Sequence, residues 1–153
     1  MNTSRQAGFT LIELITCMVI MGILAAAIGP RFVENRTVQA RGFADDLANS
    51  LRYAQRIAIA SGCQVRVGIT AAGYSSFQRA AAGNTCSAAG AWNQAVLRID
   101  GTALAATSPA GVNANPNRTI VFQTNGWPLS GATSVNVGTY IVAVDGIGRV
   151  SVQ

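Results

Sequence analysis

One apolar run near the start of the chain limits its fold more than any other feature. The run covers residues 9–28, FTLIELITCMVIMGILAAAI, and holds a single carboxylate, Glu13, and no basic residue. As an α-helix, these residues would extend roughly 30 Å, the thickness of the hydrocarbon core of a bilayer. The sequence therefore predicts a helix that lies in a membrane or packs among other apolar helices.

This apolar run is compatible with either a cleaved secretory signal or a retained helix. A signal also has a short basic leader, here MNTSRQAG with Arg5, and small residues near its end, here Ala25, Ala26 and Ala27. Two features favour a retained helix: the run is long enough to span a bilayer, and Glu13 lies inside it. Because a carboxylate at that depth costs a few kcal/mol, it indicates a function.

The helical pattern continues beyond Pro30. Apolar residues recur every three or four positions, and Ser61-Gly62 then provides a signal for the end of a helix. The members of this apolar stripe are Ala40, Phe43, Ala44, Leu47, Leu51, Ala54 and Ala58. Counted from Phe9, the predicted helix has about 53 residues and is roughly 80 Å long, with a bend at Gly29 and Pro30. We expect its second half to pack on the protein's own globular domain.

From residue 64 the apolar period changes to two, which is typical of β-strands. The strand candidates are residues 64–70, 74–79, 95–99, 119–124, 134–144 and 148–152, whereas spans 80–91 and 105–117 have the composition of loops. The sequence therefore predicts an α+β fold, in which one long helix packs on antiparallel sheet, arranged as two small sheets. Trp92 and Trp127 are either core anchors or contact residues, and we expect them in the core because Trp usually buries most of its surface.

The segment GFTLIE, residues 8–13, resembles the class III signal of type IV pilins and type II secretion pseudopilins. The resemblance implies that a prepilin peptidase cuts between Gly8 and Phe9, and that Phe9 is then N-methylated. It also implies that the helix stays on the mature protein, which would be a single-pass protein of the bacterial inner membrane with its C-terminal domain in the periplasm. Pro30 falls where pilins often carry a helix-bending proline.

By this resemblance the chain divides into a removed leader, residues 1–8, a membrane or filament-core helix, 9–29, the second half of the helix, 30–62, and a β-rich head, 63–153.

Cleavage would expose a cationic amine on Phe9, and a buried carboxylate needs such a partner. In the family the partner of the acid is the amino terminus of a neighbouring subunit, so Glu13 and Phe9 would set register during assembly. A pair within one chain is the alternative, since positions i and i+4 share a helix face.

Three further segments, LRYAQRIAIASG, VFQTNGWP and IVAVDGIGRV, resemble the GspH/FimT branch of minor pilins and pseudopilins. The resemblance implies a structural subunit that primes or caps a type II secretion pseudopilus or a type IV pilus. Its partners would be other pilins or pseudopilins, the prepilin peptidase and an inner-membrane assembly platform.

An alternative function is capture of duplex DNA during natural transformation. The chain has eleven Arg, no Lys and six carboxylates, and guanidinium groups suit phosphate. DNA-binding members of the branch carry a C-terminal Gly-Arg-x-Arg motif, whose second Arg is replaced by Ser151 in this chain. The candidate DNA-binding residues are Arg149, Arg118 and Arg98, and Arg66 or Arg79 could join them in one patch.

The rest of the sequence offers few chemically reactive side chains. Cys63 and Cys86 lie in the predicted exported part, where an oxidising compartment favours a disulfide, and two free thiols are the alternative. Cys17 lies in the apolar run and behaves there as a small apolar residue. Because His and Lys are absent, no base is at hand to activate a Ser or Thr. We therefore expect no catalytic centre, no metal site and no cofactor.

Overall fold

The computed structural model describes residues 10–28, 31–79, 81–82, 85–86 and 90–153. The chain divides into two compact units, Met1–Asn35 and Arg36–Gln153. Helices α1 (Leu11–Ile28) and α2 (Arg31–Ser61) together occupy most of the predicted long helix. The bend predicted at Gly29 and Pro30 lies outside the described residues.

Helix α1 is mostly apolar, with Glu13 in its first turn. Its large side chains, such as Leu11 and Met21, are exposed, and Cys17 is a free, exposed thiol. Among the described residues, no helix combines the length and the apolarity that crossing a membrane requires.

Helix α2 carries the predicted apolar stripe, and all seven of its predicted members are buried. Four of the seven are alanines, and Ala44, Ala54 and Ala58 have no exposed surface. Small side chains therefore make up much of the buried face of this helix. The helix ends at Ser61, next to Gly62, as the sequence predicts.

The first sheet contains five antiparallel strands, in the order β5-β2-β1-β8, with β6 also paired to β2. These strands are β1 (Val65–Thr70), β2 (Gly73–Gln78), β5 (Gln94–Ala95), β6 (Ala105–Thr107) and β8 (Arg118–Phe122). In the central strand β1 the side chains alternate, so that Val65, Val67 and Ile69 are buried while Arg66 and Gly68 lie on the other face.

The second sheet has four antiparallel strands in the order β11-β10-β9-β7. Its strands are β7 (Ala114–Asn115), β9 (Thr133–Val137), β10 (Tyr140–Val144) and β11 (Val150–Val152). A separate two-stranded hairpin consists of β3 (Ala81–Ala82) and β4 (Thr85–Cys86). The predicted α+β class with two small sheets is thus confirmed.

Several strand boundaries differ from the prediction. The predicted strand 134–144 is a hairpin, because the turn at Gly138 and Thr139 splits it into β9 and β10. The predicted loops 80–91 and 105–117 contain the short strands β3, β4, β6 and β7. Of the predicted strand 95–99, only Ala95 lies in a strand, the two-residue β5. Leu97 forms an isolated bridge with Ala103.

One hydrophobic core joins α2 to both sheets. From the first sheet it includes Ile120 and Phe122, and from the second Val135 and Val142. The expectation that both tryptophans are core residues is wrong: Trp92 is half-buried and Trp127 is 52 % exposed. The aromatic residues of the core are instead Phe43, Tyr74 and Phe122, among mostly aliphatic side chains.

Truncating a central side chain of α2 tests this packing. Leu47 has no exposed surface, so we expect Leu47→Ala to lower the free energy of unfolding by roughly 3 kcal/mol, through lost burial and the cavity left behind. Chemical denaturation of the full chain measures the change. Leu129→Ala is the matched control, because Leu129 is 61 % exposed, and it should cost less than about 0.5 kcal/mol. Equal effects of the two substitutions would contradict the assigned core.

Candidate functional site

The predicted processing and assembly residues lie at the start of α1. Gly8 and Phe9 are outside the described residues. The backbone carbonyl of Thr10 accepts hydrogen bonds from the amides of Glu13, at 3.1 Å, and Leu14, at 3.2 Å. The Thr10 hydroxyl also accepts from the Glu13 amide, at 3.4 Å. Thr10 therefore caps α1.

This cap uses the backbone amide of Glu13 and was not among the features predicted from the sequence. Thr-x-x-Glu is the capping-box pattern, and it was readable in the sequence at Thr10 and Glu13. A carboxylate in the first turn of a helix also interacts favourably with the helix dipole. A test of Glu13 in assembly should therefore remove its charge and keep a side chain compatible with the start of the helix.

The structure joins Cys63 and Cys86 in a disulfide, with their Cα atoms 5.4 Å apart. Cys63 is buried two residues after α2 ends, and Cys86 lies in β4. The disulfide alternative of the sequence analysis is thereby confirmed. It ties the β3–β4 hairpin to the C-terminal end of the helix.

A polar network at Tyr74 lies between α2 and the first sheet. The Tyr74 hydroxyl donates to a carboxylate oxygen of Asp46 at 2.5 Å, so the Ser50 hydroxyl, at 2.6 Å, donates to Tyr74. Arg98 also donates to the Tyr74 oxygen, at 3.1 Å. Burial and the hydrogen bond to Asp46 raise the pKa of Tyr74 to about 12.

Beside this network is a cleft of about 510 Å³ between α2 and the hairpin around residues 97–103. Residues that line it include Asn49, Tyr53 and Ile99. At the hairpin tip, the amide and hydroxyl of Thr102 donate to Asp100, which lowers the pKa of that carboxyl. The cleft offers hydrogen-bonding groups, but no group of three potential metal ligands occurs in the part of the chain described.

Three of the candidate DNA-binding arginines lie on separate elements. Arg98 is in the hairpin after β5 and is engaged by Tyr74, whereas Arg118 is exposed at the start of β8. Arg149 is in the turn before β11, with its side chain 82 % exposed and its Nε 3.5 Å from a carboxylate oxygen of Asp145. Grouping of the three as one patch stays a prediction.

Asp145 organises the turn that presents Arg149. One of its carboxylate oxygens accepts from the amides of Ile147, at 3.1 Å, and Arg149, at 2.7 Å. The same carboxylate pairs with the Arg149 guanidinium. Asp145 therefore holds the turn, as expected from its position before Gly146, and also offsets the charge of Arg149.

Three elements meet next to this turn, at a contact that we call the Gln55 junction. It consists of Gln55, Gly126 and Gly148. The Gln55 side chain of α2 donates to the carbonyl oxygen of Gly126, at 2.8 Å, in the loop after β8. Gly148 packs on both groups, has φ +87°, and leaves no space for a Cβ atom between Gln55 and the Gly126 carbonyl. The glycines in the VFQTNGWP and IVAVDGIGRV segments thus meet at one point on the helix.

Two sequence profiles match the chain. The prokaryotic N-terminal methylation motif matches residues 3–29, and the family described as Type II transport protein GspH matches residues 44–153. No protein of curated function matches the sequence significantly.

A solved structure with a similar fold is the type IV minor pilin FimU of Pseudomonas aeruginosa strain PAO1. The two chains are 14 % identical, and the superposition covers 74 % of this chain and 91 % of FimU with a TM-score of 0.52. At this identity the similarity establishes a shared fold, a pilin-like helix packed on antiparallel sheets.

The Tyr74 network predicts a pH dependence. Because the pKa of Tyr74 is raised in the folded state, folding favours its protonated form, and the free energy of unfolding should fall as pH rises from about 10 to about 12. Tyr74→Phe should flatten this part of the stability profile and remove the latest-ionising phenol from an ultraviolet titration. The chain has no Lys to titrate in the same range. An unchanged profile in the variant would contradict the assignment.

The Gln55 junction predicts that a single methyl group at Gly148 is costly. We expect Gly148→Ala to lower the free energy of unfolding by about 2 kcal/mol or more, through a strained φ and a steric clash. The matched control is Gly101→Ala, since Gly101 has φ +81° with nothing near its Cβ position. Thermal unfolding of both variants separates the clash from the strain, and equal losses would contradict the junction.

Proposed function

The chain belongs to the GspH family of type II transport proteins, and from this premise we propose that it is a minor subunit that primes or caps a pilin-like filament. The filament would be a type II secretion pseudopilus or a type IV pilus. The observation that carries the proposal is the combination, in one chain, of the N-terminal methylation motif over residues 3–29 and the GspH match over residues 44–153.

Processing would convert the chain into an assembly-competent subunit. A prepilin peptidase would cut between Gly8 and Phe9 and leave an N-methylated Phe9 at the start of the apolar helix. Before assembly, residues 9–29 would anchor the chain in the bacterial inner membrane, with the head in the periplasm. Support comes from the methylation motif and from the apolar side chains that α1 exposes, such as Leu11 and Met21.

During assembly, helices of neighbouring subunits would replace the lipid around α1. The Glu13 carboxylate would pair with the cationic amino terminus of an adjacent subunit and so set its register. In a filament core an unpaired charge costs several kcal/mol, so the pair would favour the register in which both charges meet. The assembly platform would deliver subunits to the base of the filament.

Capture of duplex DNA is the second candidate function. Its support is the excess of Arg over carboxylates and the exposed position of Arg149 on a turn. The geometry favours it less than the structural role, because Asp145 pairs with Arg149 and Tyr74 engages Arg98.

Substitution of Glu13 tests the structural role. Glu13→Gln removes the charge, while Gln can still complete a capping box with Thr10. We expect normal removal of the leader but at least about tenfold less subunit in sheared filaments, because one charge of a buried pair is left alone. Immunoblotting of filament and membrane fractions measures both steps.

The matched control is Glu34→Gln, which makes the same charge change outside the apolar run. It should leave both processing and incorporation unchanged. If Glu13→Gln enters filaments as well as the unmodified chain does, the proposed role of this carboxylate is wrong.

A further inference from the structure

The face of the first sheet turned away from α2 carries a cluster of two arginines and two aromatic rings. Arg66 of β1 lies directly opposite Phe77 of β2, and its guanidinium carbon is 5.9 Å from the centre of that ring. The same carbon is 5.2 Å from the ring centre of Trp92. The guanidinium carbon of Arg79 is 4.4 Å from the Trp92 ring centre. One indole therefore holds two cations close together.

In the part of the chain that the structure describes, neither arginine of the cluster forms an ion pair. The sequence contains no Asp or Glu between Asp46 and Asp100, although five arginines fall in that interval. Within the described residues, the ion pairs lie elsewhere, at Arg41 and Arg149. Two like charges beside one ring repel each other, so an anion that binds both relieves this cost.

The way the arginines are held leaves hydrogen-bond donors available. Arg79 is fixed through its Nε, which donates to the Gln64 side chain at 2.9 Å, and through Nη1, which donates to the Gly90 carbonyl at 2.8 Å. A guanidinium that lies over a ring uses its face, so the N–H groups at its edge can still meet an acceptor. Planar guanidinium groups match the oxygens of phosphate particularly well.

The rings of the cluster are already engaged by cations. Trp92 is half-buried and contacts Arg66 and Arg79, and Phe77 also contacts Arg66. Stacking of a nucleic-acid base on these rings would compete with those contacts. The cluster is therefore suited to the phosphate groups of a ligand and does not require recognition of bases.

We propose that Arg66, Arg79 and Trp92 form a binding site for phosphate-bearing polyanions. Trp92 pre-orders the two guanidinium groups, and their edges bind successive phosphate groups without regard to sequence. The site lies on the first sheet and joins Arg66 and Arg79, two arginines that the sequence left as possible members of a DNA-binding patch, through Trp92. The proposal does not depend on a role in filaments, and its failure would leave the proposed function intact.

The indole at the centre of the site serves as its own reporter. Trp92 and Trp127 are the two tryptophans of the sequence, so Trp127→Phe leaves Trp92 as the single source of indole emission. The full chain in a non-ionic detergent is titrated at low salt with sodium tripolyphosphate. We expect a saturable change in Trp92 emission, because the cations over the ring move toward the bound anion.

Neutral variants identify the groups that bind. Calorimetric titration should give at least about tenfold weaker binding for Arg66→Gln and for Arg79→Gln, since each removes a charge-assisted contact. Arg56→Gln, the same change at an exposed arginine on α2, and Arg149→Gln should bind like the unmodified chain. Unchanged thermal unfolding of all four variants would show that the fold is retained.

Two further ligands distinguish the source of the phosphate. A single-stranded oligo(dT) that competes with tripolyphosphate, with a salt slope that falls by about 0.7 for each arginine removed, would assign the site to nucleic-acid backbone. Binding of tripolyphosphate without oligo(dT) or duplex DNA would assign it to free polyphosphate. Either result supports the site. No saturable response to any of the three ligands, or equal binding by the Arg66→Gln, Arg79→Gln double variant, would overturn it.

Discussion

The apolar face of α2 is the interaction on which the head depends, because both sheets pack against it. Leu47 and Leu51 lie in the same core as Phe122 of the first sheet and Val142 of the second. The two sheets have no strand in common. The helix face, rich in alanine, is therefore the surface that both sheets share in one core.

Polar contacts then fix the position of the strands on this helix. The Tyr74 hydroxyl bridges Asp46 and Ser50 of α2 to the first sheet, and Gln55 connects the helix to the loop at Gly126. Arg52 donates to the carbonyl of Val150 at 2.9 Å and so reaches the second sheet. Apolar burial has no direction, whereas these hydrogen bonds select one register of helix and sheets.

Local sequence patterns predicted the structure correctly where a single apolar period dominates a segment. The stripe from Ala40 to Ala58 and the alternation in β1 were both predicted correctly, because each reflects one buried face. Two-residue strands such as β3 and β7 escaped prediction, since their pairing depends on a partner strand rather than on their own residues. Trp92 and Trp127 were misplaced because size alone does not show whether a side chain meets the core or an arginine.

The sequence by itself determined the helix with its apolar stripe, the α+β class and the N-terminal methylation motif, because these depend on residues close together in the chain. Tertiary structure alone decided which distant residues meet: Gln55 with Gly126 and Gly148, Tyr74 with Asp46, and Trp92 with Arg66 and Arg79. These contacts depend on how the two sheets pack on the helix. No spacing along the chain encodes that arrangement.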